Sequence, residues 1–167
     1  MTTFYRKRRA KSALLALVLF LGLSGTSQAA EYWLRAETFA KNMPDGAVVT
    51  MWGFASCTDG TYAACTPATV PGPELNVPVG DTSLTVHLRN SLTGPYTESI
   101  SLIIPGQQAS LAPVKSDTDG SGRQRVTSFV ATTPVENTAS TDYIWNNIKP
   151  GTYLYQSGSH PAVQVQM

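Results

Sequence analysis

Hydrophobic and polar residues alternate most cleanly along Ser83-Leu84-Thr85-Val86-His87-Leu88-Arg89-Asn90. Leu84, Val86 and Leu88 fall on one side of an extended chain and their polar neighbours on the other, so this segment predicts a strand with one buried face. His87 then lies on the opposite face, as an exposed strand histidine. Similar runs rich in Val, Ile, Thr, Tyr and Leu follow the same logic. They are Ala47 to Phe54, Glu98 to Ile104 (closed by Pro105-Gly106), Arg125 to Ala131 and Tyr153-Leu154-Tyr155. The final run, Ala162-Val163-Gln164-Val165-Gln166-Met167, puts Val163, Val165 and Met167 on one face and glutamines on the other. Thirteen glycines and 11 prolines punctuate the chain, and beyond Ala30 no segment sustains an apolar helical period. Recurrent short strands without intervening helical patterns predict an all-β fold, an antiparallel sandwich or barrel. There is no internal repeat and no low-complexity tract.

The stretch from Met1 to Ala30 follows a different pattern. Arg6, Lys7, Arg8, Arg9 and Lys11 precede an apolar run from Ala13 to Leu23, and small residues follow through Ala30. This order is that of a secretory signal peptide; the run is far short of the roughly 20 residues a spanning helix needs. With Ser27 and Ala29 as the small pair, cleavage is expected after Ala29. Removing the leader, 1–29, leaves a single domain, 30–167, exported to the periplasm or secreted. Arg8-Arg9 also admits a twin-arginine signal, although Ala10-Lys11 follow instead of the apolar pair that pathway prefers. The leader holds five of the 12 basic groups, so the mature chain carries seven against 11 acidic ones, net −4. The formal charge of +1 is thus a property of the leader. Neither a nucleic-acid partner nor an anionic membrane is expected, since both require concentrated positive charge.

Cys57 and Cys65 flank Thr58-Asp59-Gly60-Thr61-Tyr62-Ala63-Ala64. In an oxidising compartment this spacing predicts a disulfide closing a turn, and Asp59-Gly60 is a turn signal within it. Structural zinc would need about four clustered Cys or His ligands, against two Cys and two His in the whole chain. The nearest histidine to Cys65 is His87, too distant in sequence to suggest an activated thiol. Asp117 and Asp119, in Ser116-Asp117-Thr118-Asp119-Gly120-Ser121-Gly122, are spaced like the start of a calcium loop. The glutamate expected about 11 positions after Asp117 is replaced by Ser128, however. A solvated loop is expected, with Arg123 and Arg125 free in solvent or paired to Asp117 or Asp119.

Four segments in order carry a family resemblance. Trp52-Gly53-Phe54, Val70-Pro71-Gly72-Pro73-Glu74-Leu75, Val79-Gly80-Asp81 leading into the strand that ends at Asn90, and Pro150-Gly151-Thr152-Tyr153-Leu154-Tyr155-Gln156-Ser157 are similar to the first cupredoxin (plastocyanin-like) domain of laccase-like multicopper oxidases. The resemblance runs from about Val48 to the end of the chain. It implies an antiparallel Greek-key β-sandwich, copper as cofactor and an O2-reducing oxidoreductase as the parent activity.

The same alignment places the family's copper-binding histidines at Ile103 and Pro105, at Gln156, and at His160 if a two-residue insertion is allowed. Imidazole suits copper, whereas aliphatic and proline side chains offer no donor and an amide is a poor one. His160 is thus the single candidate metal ligand, its alternative being a surface histidine at the start of a strand. A blue-copper site, which groups Cys, His and Met, is not expected, because the cysteines lie about a hundred residues before His160 and Met167. The chain alone is therefore expected to be catalytically inactive. Because the last alternating strand ends flush at Met167, the sandwich is expected to be incomplete there. A fragment, a truncated reading frame, or a domain completed by further cupredoxin domains or a partner chain would each explain it. Two functions stay open: the N-terminal portion of a multicopper-oxidase-like protein, or a non-catalytic secreted β-sandwich that binds a partner.

Overall fold

The computed structural model describes residues 29–93, 98–135 and 139–159. Six strands form in the order β1 Ala30–Asn42, β2 Val48–Cys57, β3 Ser83–Asn90, β4 Val114–Lys115, β5 Val126–Ser128 and β6 Ser140–Asn146. There is no helix among the described residues, so none is long and apolar enough to cross a membrane. The expected signal peptide apart from its last residue, Ala29, the segment Ala162–Met167 and His160 lie outside the described residues.

Four strands make one sheet in the order β2-β1-β3-β6, and β4 pairs with β5 in a small separate ribbon. β1 and β2 are joined through Met43-Pro44-Asp45-Gly46-Ala47. Proline fixes the entry to this turn, and Gly46 takes the left-handed conformation, φ 85°, that closes it. Gly46 N–H donates to Met43 O, and Met43 N–H to Ala47 O. β1 and β3 run parallel, which corrects the expectation of a purely antiparallel sheet. A parallel neighbour needs a long connection; β2 and the coil 58–82 supply it, crossing from one side of β1 to the other.

The register brings the apolar positions together. Ala30 pairs with Leu84 and Leu34 with Leu88 across the parallel seam, while Leu84 faces Trp145 and Val86 faces Tyr143 across β3–β6. These residues form one buried cluster with Trp52, Phe54, Ile100, Leu102 and Ile104. Tyr143, fully enclosed, donates its hydroxyl to Ala131 O (2.8 Å) and meets Thr133 Oγ1 at 3.0 Å, so its polar end is satisfied.

Sequence and structure agree closely at β3 and in part elsewhere. β2 extends three residues past the expected end at Phe54, and the run from Arg125 to Ala131 is strand only over Val126–Ser128. β1, β4 and β6 lie outside the segments that the sequence pattern predicts as strands. Glu98 to Ile104 is buried in its second half but is not a continuous strand. Its pairing switches from Thr133 at Ile100 to Gln156 at Ile103, so no ladder lasts more than one bridge. Tyr153-Leu154-Tyr155 likewise stays irregular, with only the following Gln156 bridged.

The disulfide joins Cys57 at the end of β2 to Cys65. Within the loop, Asp59 accepts from the Thr61 N–H (2.8 Å) and hydroxyl (2.6 Å), an Asx turn that holds its carboxyl below the ordinary value. The closed loop is short, so replacing both cysteines by serine is expected to cost about 2 kcal/mol. A lowered urea midpoint for the double variant, relative to the oxidised parent, would measure it.

In the β4–β5 connection, Asp119 accepts from the backbone N–H groups of Arg123 and Ser121 (both 2.9 Å) and from Arg123 Nε (3.3 Å). The carboxylate is thus used by its own loop, and Arg123 is paired to Asp119, one of the two partners expected.

Candidate functional site

The positions assigned by resemblance to metal ligation lie on two segments far apart in sequence, and the fold brings two of them together. Ile103 and Gln156 form an antiparallel bridge, Ile103 N–H to Gln156 O at 2.9 Å and Gln156 N–H to Ile103 O at 3.0 Å. Pro105 follows on an exposed turn closed by Gln107 N–H to Ile104 O (2.9 Å), with Gly106 left-handed. Beyond Gln156 the chain passes through Ser157, Gly158 and Ser159, all buried.

The space beside this bridge is filled. A Cβ on Gly158 would stand 2.7 Å from Ile103 Cγ2 and 3.2 Å from Ser101 Oγ, so Ile103 packs directly on the glycine backbone. Four buried serines complete the surroundings. Ser101 Oγ accepts from Gly158 N–H (3.0 Å) and from Ser128 Oγ (3.1 Å), and the Ser157 and Ser159 hydroxyls meet at 2.9 Å. These hydroxyls are committed to one another and to the backbone, and none is a soft or imidazole donor. No group of three or more His, Cys, Asp or Glu side chains that could hold a metal occurs among the described residues. The donor set at Ile103, Pro105 and Gln156 does not fit copper.

On the other side of Gln156 lies a groove of about 760 Å³, in the size range of ligand clefts. One wall is the proline-rich segment 69–81, the other 148–156, with Phe54, Leu84 and Ile104 at its base. Tyr155 spans it, its hydroxyl donating to Pro73 O at 2.7 Å and its ring tilted against Phe54 at 5.6 Å. Burial pushes the Tyr155 phenol upward, so it remains a donor at any physiological pH. A Cβ on Gly72 would collide with that hydroxyl, which accounts for glycine between the two prolines. Tyr32 pins the same wall from β1, donating to Asn76 O (2.6 Å) and accepting from Asn76 N–H (2.9 Å). Val79 and Leu154 stand exposed on the two rims.

Two segments of the resemblance, Val70 to Leu75 and Pro150 to Ser157, thus face each other across one groove. Sequence reasoning singles out both but gives no sign of the groove, because its walls are coil and carry no periodic pattern. His87, read as exposed, is only 18% exposed at its side chain and is engaged by two carboxylates. Neither carboxylate carries a sequence signal, since each reaches His87 from a strand that the pattern does not predict. No protein-family model and no curated protein matches this chain.

Proposed function

We propose that this chain is the N-terminal cupredoxin-like portion of an exported multicopper-oxidase-like protein, contributing fold and contact surface instead of electron transfer. The observation that carries the reading is the Ile103–Gln156 bridge. Two positions that the resemblance marks as ligand sites are paired here, and they hold an aliphatic side chain and an amide. The contact between Tyr155 and Pro73, distant in sequence, supports the same alignment at a second place. The Greek-key order of the family belongs to this proposal, as do copper ancestry and completion of the sheet by further domains or by a partner chain. The exposed Val79 and Leu154 at the groove rims favour a second reading, a non-catalytic secreted module that docks on another protein.

Copper analysis after dialysis of the purified chain tests the assignment. The parent chain is expected to retain less than one equivalent. A variant carrying Ile103→His, Pro105→His and Gln156→His, with His160 as a fourth donor, is expected to retain copper. A folded triple variant that stays copper-free would mean the ligand positions are misaligned. The intact mass of the native protein separates the two readings. A mass several-fold above that of the 30–167 domain indicates a multidomain oxidase-like protein, and a mass equal to it indicates the docking module.

A further inference from the structure

The polar face of the main sheet carries a charge arrangement that the functional reading leaves unused. In register, His87 on β3 sits between Trp33 on β1 and Asp142 on β6. Its ring stacks on the Trp33 indole at 5.4 Å with an interplanar angle of 16°. Nδ1 lies 2.6 Å from Asp142 Oδ1, and Nε2 lies 2.7 Å from Glu31 Oε1. Both are short, charge-assisted distances. A neutral imidazole has one N–H and one lone pair, so against two carboxylates one contact would become repulsive. Only the imidazolium donates at both ends.

We propose that His87 is a proton-operated clamp. Charged, it ties β1, β3 and β6 together across the sheet; when it loses its proton on the alkaline side, that tie is lost and β6 is held less firmly.

The disulfide loop packs beside the clamp through the backbone of His87 and through Arg35 and Arg89. Tyr62 donates its hydroxyl to His87 O (3.0 Å), and the Arg89 guanidinium lies 3.9 Å over the Tyr62 ring. Arg35 Nη1 donates to Tyr62 O (3.3 Å) and Arg89 Nη1 to Thr61 O (3.4 Å). The charged and titratable groups around His87 are therefore Glu31 and Arg35 from β1, Arg89 from its own strand, Asp142 from β6 and Tyr62 from the loop. Arg35 is already neutralised by Glu37 at 2.8 Å. Burial keeps the Tyr62 phenol protonated by raising it. This leaves the two carboxylates to govern His87.

Burial by itself pulls His87 down, but the hydrogen bonds and charges of Asp142 and Glu31 outweigh it, and the net displacement from 6.5 is upward. A histidine raised in the folded state contributes stability that is complete below the unfolded value of 6.5. That stability is lost as pH rises through the folded value. Both carboxylates are half exposed, so the effect is modest. The folding equilibrium constant is expected to drop roughly twofold to fivefold across the titration.

Proton NMR titration of the purified chain, with the His87 signal assigned by its loss in His87→Gln, tests the clamp directly. His87 is expected to titrate above 6.5 and to move down in both Glu31→Gln and Asp142→Asn. In parallel, urea midpoints of the parent are expected to fall through that pH range while those of His87→Gln do not. The protection factors of β6 amide protons, corrected for base-catalysed exchange, should fall over the same range in the parent and not in His87→Gln. A His87 midpoint at or below 6.5 would overturn the proposal. So would a midpoint unmoved by either carboxylate variant, or identical pH profiles for parent and His87→Gln. If His87→Gln fails to fold, the Glu31→Gln/Asp142→Asn double variant carries the same comparison.

Discussion

Asn90→Leu is expected to destabilise the fold by about 3 kcal/mol, although leucine is the more hydrophobic residue and the site is fully buried. The carboxamide joins three stretches of backbone. Nδ2 donates to Glu98 O (2.8 Å) and Thr133 O (3.2 Å), and Oδ1 accepts from Leu92 N–H (3.2 Å). Leucine satisfies none of them. Thr133 O keeps its bond from Ile100 N–H, and Glu98 is exposed enough to reach water, so those losses are partial. The Leu92 N–H is left buried without an acceptor, which by itself costs about 1–3 kcal/mol. Asn90→Asp should fare no better, since it removes both donors and buries a charge. Urea denaturation at neutral pH measures the difference. A loss under about 1 kcal/mol would mean that the three segments are held by something other than Asn90.

Asn90 also illustrates what the sequence reveals and what it hides. The alternation of Leu84, Val86 and Leu88 gives the strand, its face and its length. An asparagine at the end of such a strand reads only as a turn residue, because its partners lie at Glu98 and Thr133. β1 is obscured for a related reason. Its inward positions include the small residues Ala30 and Ala36, while the large Trp33 points outward onto His87, so the apolar pattern does not mark the buried face. In β6, Ile144 breaks the alternation between Tyr143 and Trp145 by facing away from the core they occupy. The opposite error occurs at Glu98 to Ile104. Ile100, Leu102 and Ile104 alternate as a strand would and are buried, but Ser101 is buried as well, bonded to Ser128 and Gly158. With side chains enclosed on both sides and pairing split between Thr133 and Gln156, burial produces a strand-like pattern without a strand. Periodicity reports which side chains leave water; it does not report where the backbone finds its hydrogen bonds.

The candidate site is legible in the sequence as positions and not as an arrangement. The segments around Ile103 and Gln156 can be matched to a family pattern one by one. Their adjacency depends on a bridge that neither segment encodes locally. The glycine that makes the adjacency possible, Gly158, stands between two serines and looks like an ordinary loop residue.

That glycine gives the other large expected effect. Gly158→Val is expected to cost about 3 kcal/mol, the upper part of the usual range for adding methyl groups to a packed interior. The new Cβ would meet Ile103 Cγ2 at 2.7 Å, Ser101 Oγ at 3.2 Å and Ile103 Cδ1 at 3.3 Å, and two further methyl groups must also be placed. The backbone has little room to retreat. Gly158 N–H donates to Ser101 Oγ (3.0 Å), and Gly158 O accepts from Phe129 N–H (3.0 Å). Two of the three close atoms belong to Ile103, so Ile103→Ala should relieve most of the strain. In the Ile103→Ala background, Gly158→Val is expected to cost about 1 kcal/mol, a coupling of about 2 kcal/mol that a double-mutant cycle measures directly. Additive losses would mean that the strain lies on Ser101 and the backbone. Strong coupling would mean that Ile103 and Gly158 form one packed unit, and that placing histidine at position 103 alters both stability and donor chemistry at a single point.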